Sequence, residues 1–395
     1  MRGIAGSGGA DSVVEFTDQL FGHLRRVDQR RWAHAYVLGL LRTPGKKTMR
    51  RIAAAASDSP TASQALHQFI NESPWDWAPV CDRLRQWTEA RVRPRAWTVA
   101  PVVLPKRGEK SCGVHRRFIP HTGRTVNCQI GTAVFLSTDA GDFPVGWSLL
   151  LPEAWAQGAL RERARVPEEA VARPETHVLN LVEPLVRTSR HEPVPVVVDV
   201  DGYLDVRPLL HGLIRGRRDF VVAVPDGLPL APFTAARPVR AQVRAAARIV
   251  GASPSGAERV RGLVRNQLVQ LPFGSAEQRP QPFRLFARPG TGPGGPGRLW
   301  LTNMVDRPLG ELVRHTERTA SAGEAVHLLE RDFGLKDFEG RSFPGWHHHM
   351  TLVSAAFAHS RLSDVPADGN SPLGMPADWA DEGSFRRDLT LLTAS

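Results

Sequence analysis

Cysteine is scarce in this chain of 395 residues, which holds three: Cys81, Cys112 and Cys128. Three thiols without a CxxC pair make neither a disulfide framework nor a structural zinc site. Lysine is scarcer than the basic balance suggests, with five lysines among 51 Lys+Arg. No uncharged apolar run is long enough to span a bilayer, which argues against a transmembrane protein. The Gly-rich start Met1–Ala10 lacks the apolar stretch of a secretory signal, so a cytoplasmic location is expected.

What is present is a core and a positive charge. A hydrophobic fraction of 42% is ample for a packed interior and excludes a disordered chain. The length suggests two or three domains. The formal charge is +11, almost all of it carried by arginine, a bias that a GC-rich genome also produces. Its distribution is more telling: residues 1–96 hold 15 Lys+Arg against 9 Asp+Glu, and residues 211–265 hold 10 Arg against 3 acids. Such clusters suit an anionic polymer, or else a well-solvated helical surface.

Apolar residues at three- and four-residue spacing predict helices at Val13–Arg26 and Arg31–Leu41, then at Thr48–Ala56, Thr61–Ile70 and from Pro74 to about Arg91. From Arg95 the pattern turns strand-like. Trp97–Leu104, Phe118, Thr125–Ser137 and Val145–Leu151 read as strands of a meander, and Pro167–Arg187 as a helix. Val194–Val200 is a continuous apolar run, followed by a helix at Tyr203–Arg215 and a second apolar run at Asp219–Val224. Buried strand, helix, buried strand is a βαβ unit and implies some parallel sheet. Phe283–Ala287 and Arg298–Thr302 pair around the Gly/Pro tract Pro289–Gly297, read as a flexible tip. Gly323–Phe333 and Gly345–Leu362 complete the helices.

Four stretches resemble bacterial insertion-sequence transposases with an RNase H-like DDE core, the DDE superfamily endonucleases. They are Ser73-Pro-Trp-Asp-Trp77; Pro105-Lys-Arg-Gly108 through Ser111-Cys-Gly-Val114 to Asn127-Cys-Gln129; Leu151-Pro-Glu-Ala-Trp155; and Gly334-Leu-Lys-Asp-Phe-Glu-Gly-Arg-Ser342 with Gly345-Trp-His-His-His349. The resemblance runs from about Arg31 to Leu362. It implies an α/β fold: an RNase H-like mixed sheet flanked by helices, with an N-terminal all-helical module and a β-containing insertion. The expected division is a disordered 1–12, a helical DNA-binding module 13–95, a first core part 96–225, an insertion 226–320 with a basic helical segment and a hairpin, core helices 321–362 and a flexible tail 363–395.

The resemblance also implies three carboxylates that hold two Mg²⁺ (or Mn²⁺) ions for strand cleavage and transfer. Here the sequence departs from the pattern. The opening strand should carry Asp and instead has Ala100-Pro101, neither of which ligates a metal. A proline in a central strand also removes a ladder hydrogen bond. Asp199 matches the second position. The third is Glu324 by spacing from Gly334-Leu335, or Glu330 with a six-residue shift on the same helix, and the expected metal ligands are Asp199 and Glu324. Asp139, Asp142 or Asp201 is a candidate to replace the lost first carboxylate. His347-His348-His349 is not read as a metal site, since consecutive helical side chains point about 100° apart.

For DNA, Thr48–Ala56 and Thr61–Ile70 have helix-turn-helix proportions. Gln64, His67 and Gln68 (with Thr61) are placed to meet base edges, and Lys46, Lys47, Arg50 and Arg51 to meet phosphates. Lys106, Arg107, Lys110, Arg116 and Arg117 form a basic loop near the implied active face. Arg240, Arg244 and Arg248 recur at spacing four as one helical stripe, and Arg341 and His348 are read as family-typical polar residues beside DNA. The reading is of a protein that binds double-stranded DNA at transposon terminal inverted repeats, as a homodimer on DNA, in the bacterial nucleoid. Its catalysis is expected to be weak or lost. The alternatives are an active transposase with a relocated carboxylate, and a domesticated non-catalytic DNA-binding regulator or interaction scaffold.

Overall fold

The computed structural model describes residues 7–119, 122–171, 173–200, 202–233, 242–251, 265–272, 281–288 and 297–367. Five helices open the chain: α1 (Ser7–Phe21), α2 (Val27–Arg42), α3 (Met49–Ala56), α4 (Ala62–Asn71) and α5 (Ala78–Glu89). The first begins inside the segment expected to be disordered. A meander follows, with β1 (Ala96–Pro105), β2 (His115–Ile119), β3 (Arg124–Ser137) and β4 (Asp142–Leu149). Next come α6 (Gly158–Ala164), α7 (Pro174–Thr188), β5 (Val196–Val198), α8 (Val206–Arg215), β6 (Phe220–Val224), β7 (Pro229–Pro232), β8 (Arg244–Ala245) and α9 (Ala246–Gly251). The chain continues through β9 (Arg265–Gln270), β10 (Phe283–Arg288), β11 (Arg298–Thr302), α10 (Leu309–Asp332) and α11 (Phe343–Leu362).

The described strands form one mixed sheet in the order β2-β3-β1-β5-β6-β11-β10-β9-β7-β8, with β4 also on β3. β1, β5 and β6 are mutually parallel and the other pairs antiparallel. The meander followed by a βαβ unit is the RNase H-like arrangement that was expected. Alternation along β1 sends Trp97 and Val99 to one face, against α7 and α8 through Val178, Val182, Leu209, Leu210 and Leu213. Ala100, Val102 and Leu104 point to the other face, into a core shared with α11 and the opening helices. On that same face Ala96, Val197, Ala223 and Trp300 pack against Leu309, Leu312 and Val313 of α10.

Several boundaries moved for local reasons. The helix expected over Pro167–Arg187 is broken into a 3-10 turn at Glu168–Ala170 and α7. The residue before Pro174, Arg173, is extended at ψ 145°, as a residue preceding proline prefers. α8 starts at Val206 rather than Tyr203, because the Asp205 carboxylate accepts the Arg207 N–H at 3.0 Å and caps it. α10 starts at Leu309, so the expected boundary at 320 falls within a continuous helix. Arg244 and Arg248 do not share a helical stripe: Arg244 lies in β8, opposite Leu230, and Arg248 in the short α9. Arg240, the Pro289–Gly297 tip except Gly297, and the tail from 368 lie outside the described residues. Among the described residues no helix is long and apolar enough to cross a membrane.

Candidate functional site

The expected catalytic centre is set by the β1–β5 junction. In this parallel ladder the Trp97 N–H donates to the Pro195 carbonyl at 3.0 Å and the Asp199 N–H to the Val99 carbonyl at 3.3 Å. The rung that would follow needs an N–H at position 101, and Pro101 has none, so pairing ends there. Val99 is in register with Val198, which brings Asp199 level with Ala100 on the face covered by α10. Where the resemblance implies a carboxylate, Ala100 presents a methyl group. The Asp199 carboxylate instead accepts from the guanidinium of Arg298, the first residue of β11.

The other acids sit elsewhere. Asp142 is opposite Ser137, which is opposite Ala96, four residues along β1 from Ala100 or roughly 13 Å. Asp142 accepts from the Ser137 and Ser321 hydroxyls, and burial raises its pKa. Asp139, beside it, is paired with Arg95 at 2.7 Å and Arg318 at 3.3 Å. Both therefore lie away from Asp199, and Asp201 lies outside the described residues. Glu324 is exposed on α10 at this Asp142 end, where its charge adds to the rise in the Asp142 pKa. Glu330 is held by Lys336 at 2.7 Å. Among the described residues no three His, Cys, Asp or Glu side chains gather where a metal ion could be held. The donors around Asp199 do not fit a two-metal centre.

The basic residues separate into two sets. Lys46, Arg50, Arg51, Gln64, His67, Gln68, Arg107, Lys110, Arg116 and Arg341 are exposed. The segment Asp337–Arg341 brings part of this set together. Lys46 lies 3.7 Å from Glu339, Gly340 is packed against Asn71 at the end of α4, and the Arg341 carbonyl accepts the Cys112 N–H at 3.2 Å. The turn before α3, the end of α4, the 106–112 loop and Arg341 thereby share one stretch of surface.

Four expected contacts are corrected. Lys47 is buried, and its ammonium donates to the Leu40 carbonyl at 2.8 Å and to the Thr43 carbonyl, capping α2. Lys106 donates to the Phe338 carbonyl at 2.9 Å, and burial pulls its pKa down to about 8. Arg117 lies over the Tyr203 ring and donates to the carbonyls of Gly202 and Tyr203 at 3.0 and 2.9 Å. His348 is 1% exposed; its ring nitrogens lie 2.8 and 2.9 Å from the carbonyls of Ile70 and Trp75, and its ring stacks on Trp75 with centroids 3.9 Å apart.

His348 belongs to a larger dock that sequence reasoning did not anticipate. Its neighbour His347 stacks on Trp77 at 4.6 Å, and His349 meets the Tyr36 hydroxyl at 2.9 Å and the Gly334 carbonyl at 3.1 Å. The motif stretches around Trp75 and around His347 thus pack on one another. Burial, aided at His349 by the Lys106 charge, lowers the pKa values of His347 and His349 to about 3 and that of His348 to about 4. Arg298 was also missed, for nothing in the sequence marks the first residue after a Gly/Pro tract as the partner of Asp199. Equally invisible was Glu89, fully buried, which joins Arg85 at 2.6 Å to the Ser189 hydroxyl at 2.8 Å.

Comparison with known proteins gives three results. A solved structure that matches, described as a cryo-EM structure of the piggyBac transposase synaptic complex with hairpin DNA, is 12% identical; the alignment covers 98% of this chain and 78% of that one, with a TM-score of 0.45. No curated protein matches. The profile described as DDE superfamily endonuclease matches residues 19–268, well over half of the sequence, and the chain belongs to that family.

Proposed function

We propose that this DDE-family chain is a transposase-derived protein that binds double-stranded DNA and has weak or no strand-cleaving activity. The observation that carries the reading is at the β1–β5 junction: Asp199 stands level with Ala100 and its carboxylate is paired with Arg298. Divalent ions would supply the activated nucleophile and the charge stabilisation of strand cleavage, and one carboxylate with an arginine partner is a poor seat for them. DNA binding is supported by family membership, by the +11 charge and by the exposed basic residues around Asp337–Arg341. In this reading Lys46, Arg50, Arg51, Arg107, Lys110, Arg116 and Arg341 contact phosphates, while Gln64, His67 and Gln68 meet base edges. The helical part 13–95 acts as the DNA-reading unit and the insertion 226–320 as an accessory one. The site of action is the bacterial nucleoid, the target is a terminal inverted repeat, and two copies assemble on it.

The test is nicking of terminal-repeat DNA with Mg²⁺ or Mn²⁺, with Asp199→Ala as control, alongside binding to the same DNA. The expected result is binding without metal-dependent nicking. Nicking that disappears in Asp199→Ala overturns the inactive reading and favours a relocated carboxylate. Absence of binding at about 0.1 M salt overturns the DNA-based reading altogether and leaves the interaction scaffold.

A further inference from the structure

Sheet register explains how Arg298 reaches a strand two places away. Val198 pairs with Val222, so Asp199 is level with Ala223, and Ala223 pairs with Trp300 on β11. Arg298 precedes Trp300 by two residues and therefore shares its face of the sheet. The β6 residue level with Asp199 is Ala223, whose side chain is a single methyl group. On the far side of Asp199, the turn at Gly202–Tyr203 is held by the second guanidinium, Arg117. The ring of Tyr203 feels both the Asp199 and the Arg117 charges. Asp199 is thus paired with Arg298, and Arg117 holds the turn that follows it.

An arginine seated on the carboxylate is the reverse of a metal centre. Carboxylates gathered for two divalent ions repel each other until the ions arrive, so the metal-free site is strained by like charge. We propose that Arg298 is the resident cation of this site, taking the place of the divalent ion at Asp199 so that the fold needs no metal and offers none a seat. The pair turns a catalytic position into a tie between β5 and the β10–β11 hairpin. The proposal rests on the non-cleaving reading above and adds a sign that can be measured.

In a metal centre, Asp→Asn at the second position relieves repulsion and raises thermal stability without metal. With a resident arginine it removes a partner and lowers it. The experiment is thermal unfolding of the full chain as wild type, Asp199→Asn, Arg298→Gln and the double variant, each with and without millimolar MnCl₂. Each single variant is expected to lower Tm by about 1 °C, as for a partly exposed ion pair in a chain of this size. The double variant falls no further than the lower single, and Mn²⁺ moves none of the four. A Mn²⁺ titration of the wild type followed by electron paramagnetic resonance checks the same point without any substitution, and the free-ion signal should be undiminished. A higher Tm in Asp199→Asn, or Mn²⁺ binding that Asp199→Asn abolishes, overturns the proposal. If Asp199→Asn is stabilising and nicking is still absent, this inference falls while the non-cleaving reading stands; Asp199-dependent nicking removes both.

Discussion

The histidine dock between α11 and the opening helices should make the protein acid-labile in a calculable way. His347 and His349 are held neutral, with pKa values of about 3, and His348 and, outside the dock, His34 of α2 beside Thr17 with values of about 4, in each case chiefly because burial disfavours the charged ring. In the unfolded chain the same rings titrate near 6.5. The folded pKa is depressed, so the unfolded chain binds more protons below pH 6.5. The stability is fully present above that pH and is lost as pH falls toward the folded values. At pH 5 the medium lies about 1.5 units below the unfolded pKa, which at 1.36 kcal/mol per unit costs about 2 kcal/mol for each histidine. Four such rings approach the whole net stability of an ordinary domain, about 5–15 kcal/mol. Urea unfolding at a series of pH values, followed by tryptophan fluorescence, measures it directly, since Trp75 and Trp77 stack on the rings concerned. Replacing one ring isolates its share: His347→Phe should recover about 2 kcal/mol of the loss between pH 8 and pH 5. A stability profile flat over that interval, or one that His347→Phe leaves unchanged, would refute the reasoning.

Other outcomes follow from single contacts. Arg107→Ala, Lys110→Ala and Arg341→Ala should each weaken DNA binding across sequences and flatten the log affinity–log salt slope by about 0.9, measured by fluorescence anisotropy. Lys47→Ala, by contrast, should leave that slope alone while lowering Tm, because its ammonium caps α2. Glu89→Gln leaves the buried Arg85 without its charged partner on that side and should cost about 3 kcal/mol in urea unfolding. At Gly334 the backbone has φ +72°, and a β-carbon there would lie 2.4 Å from the Lys47 Cγ, so Gly334→Ala should lower Tm through strain and clash together.

Much of the fold was written in local pattern. The apolar run that ends at Asp199 is buried as β5, and the alternation along Trp97–Leu104 divides between two faces as a central strand requires. The proline expected to break a rung does so. What sequence could not supply was anything decided between distant segments. The first half of α10 carries a single apolar triplet at helical spacing, Leu309, Leu312 and Val313, and it covers the sheet. Lys106 and His348 looked like surface groups by residue type, yet each has found carbonyl oxygens that the chain brings near only on folding, and Lys47 turns back onto the end of α2. The arginine repeat at 240, 244 and 248 had helical spacing, but Arg244 is drawn into a strand by its pairing with Leu230.

The way the insertion joins the sheet has a consequence for how the chain can be cut down. β6, Phe220–Val224, is buried along its whole length, and its outer hydrogen-bonding edge is covered by β11. A truncation that removed the hairpin would leave five apolar residues with a row of open N–H and C=O groups at the rim of the sheet. Such a rim is a template for joining another copy of itself. Shortened forms that lack only β10 and β11 are therefore expected to aggregate, so the hairpin acts as a protective edge for the core beside it.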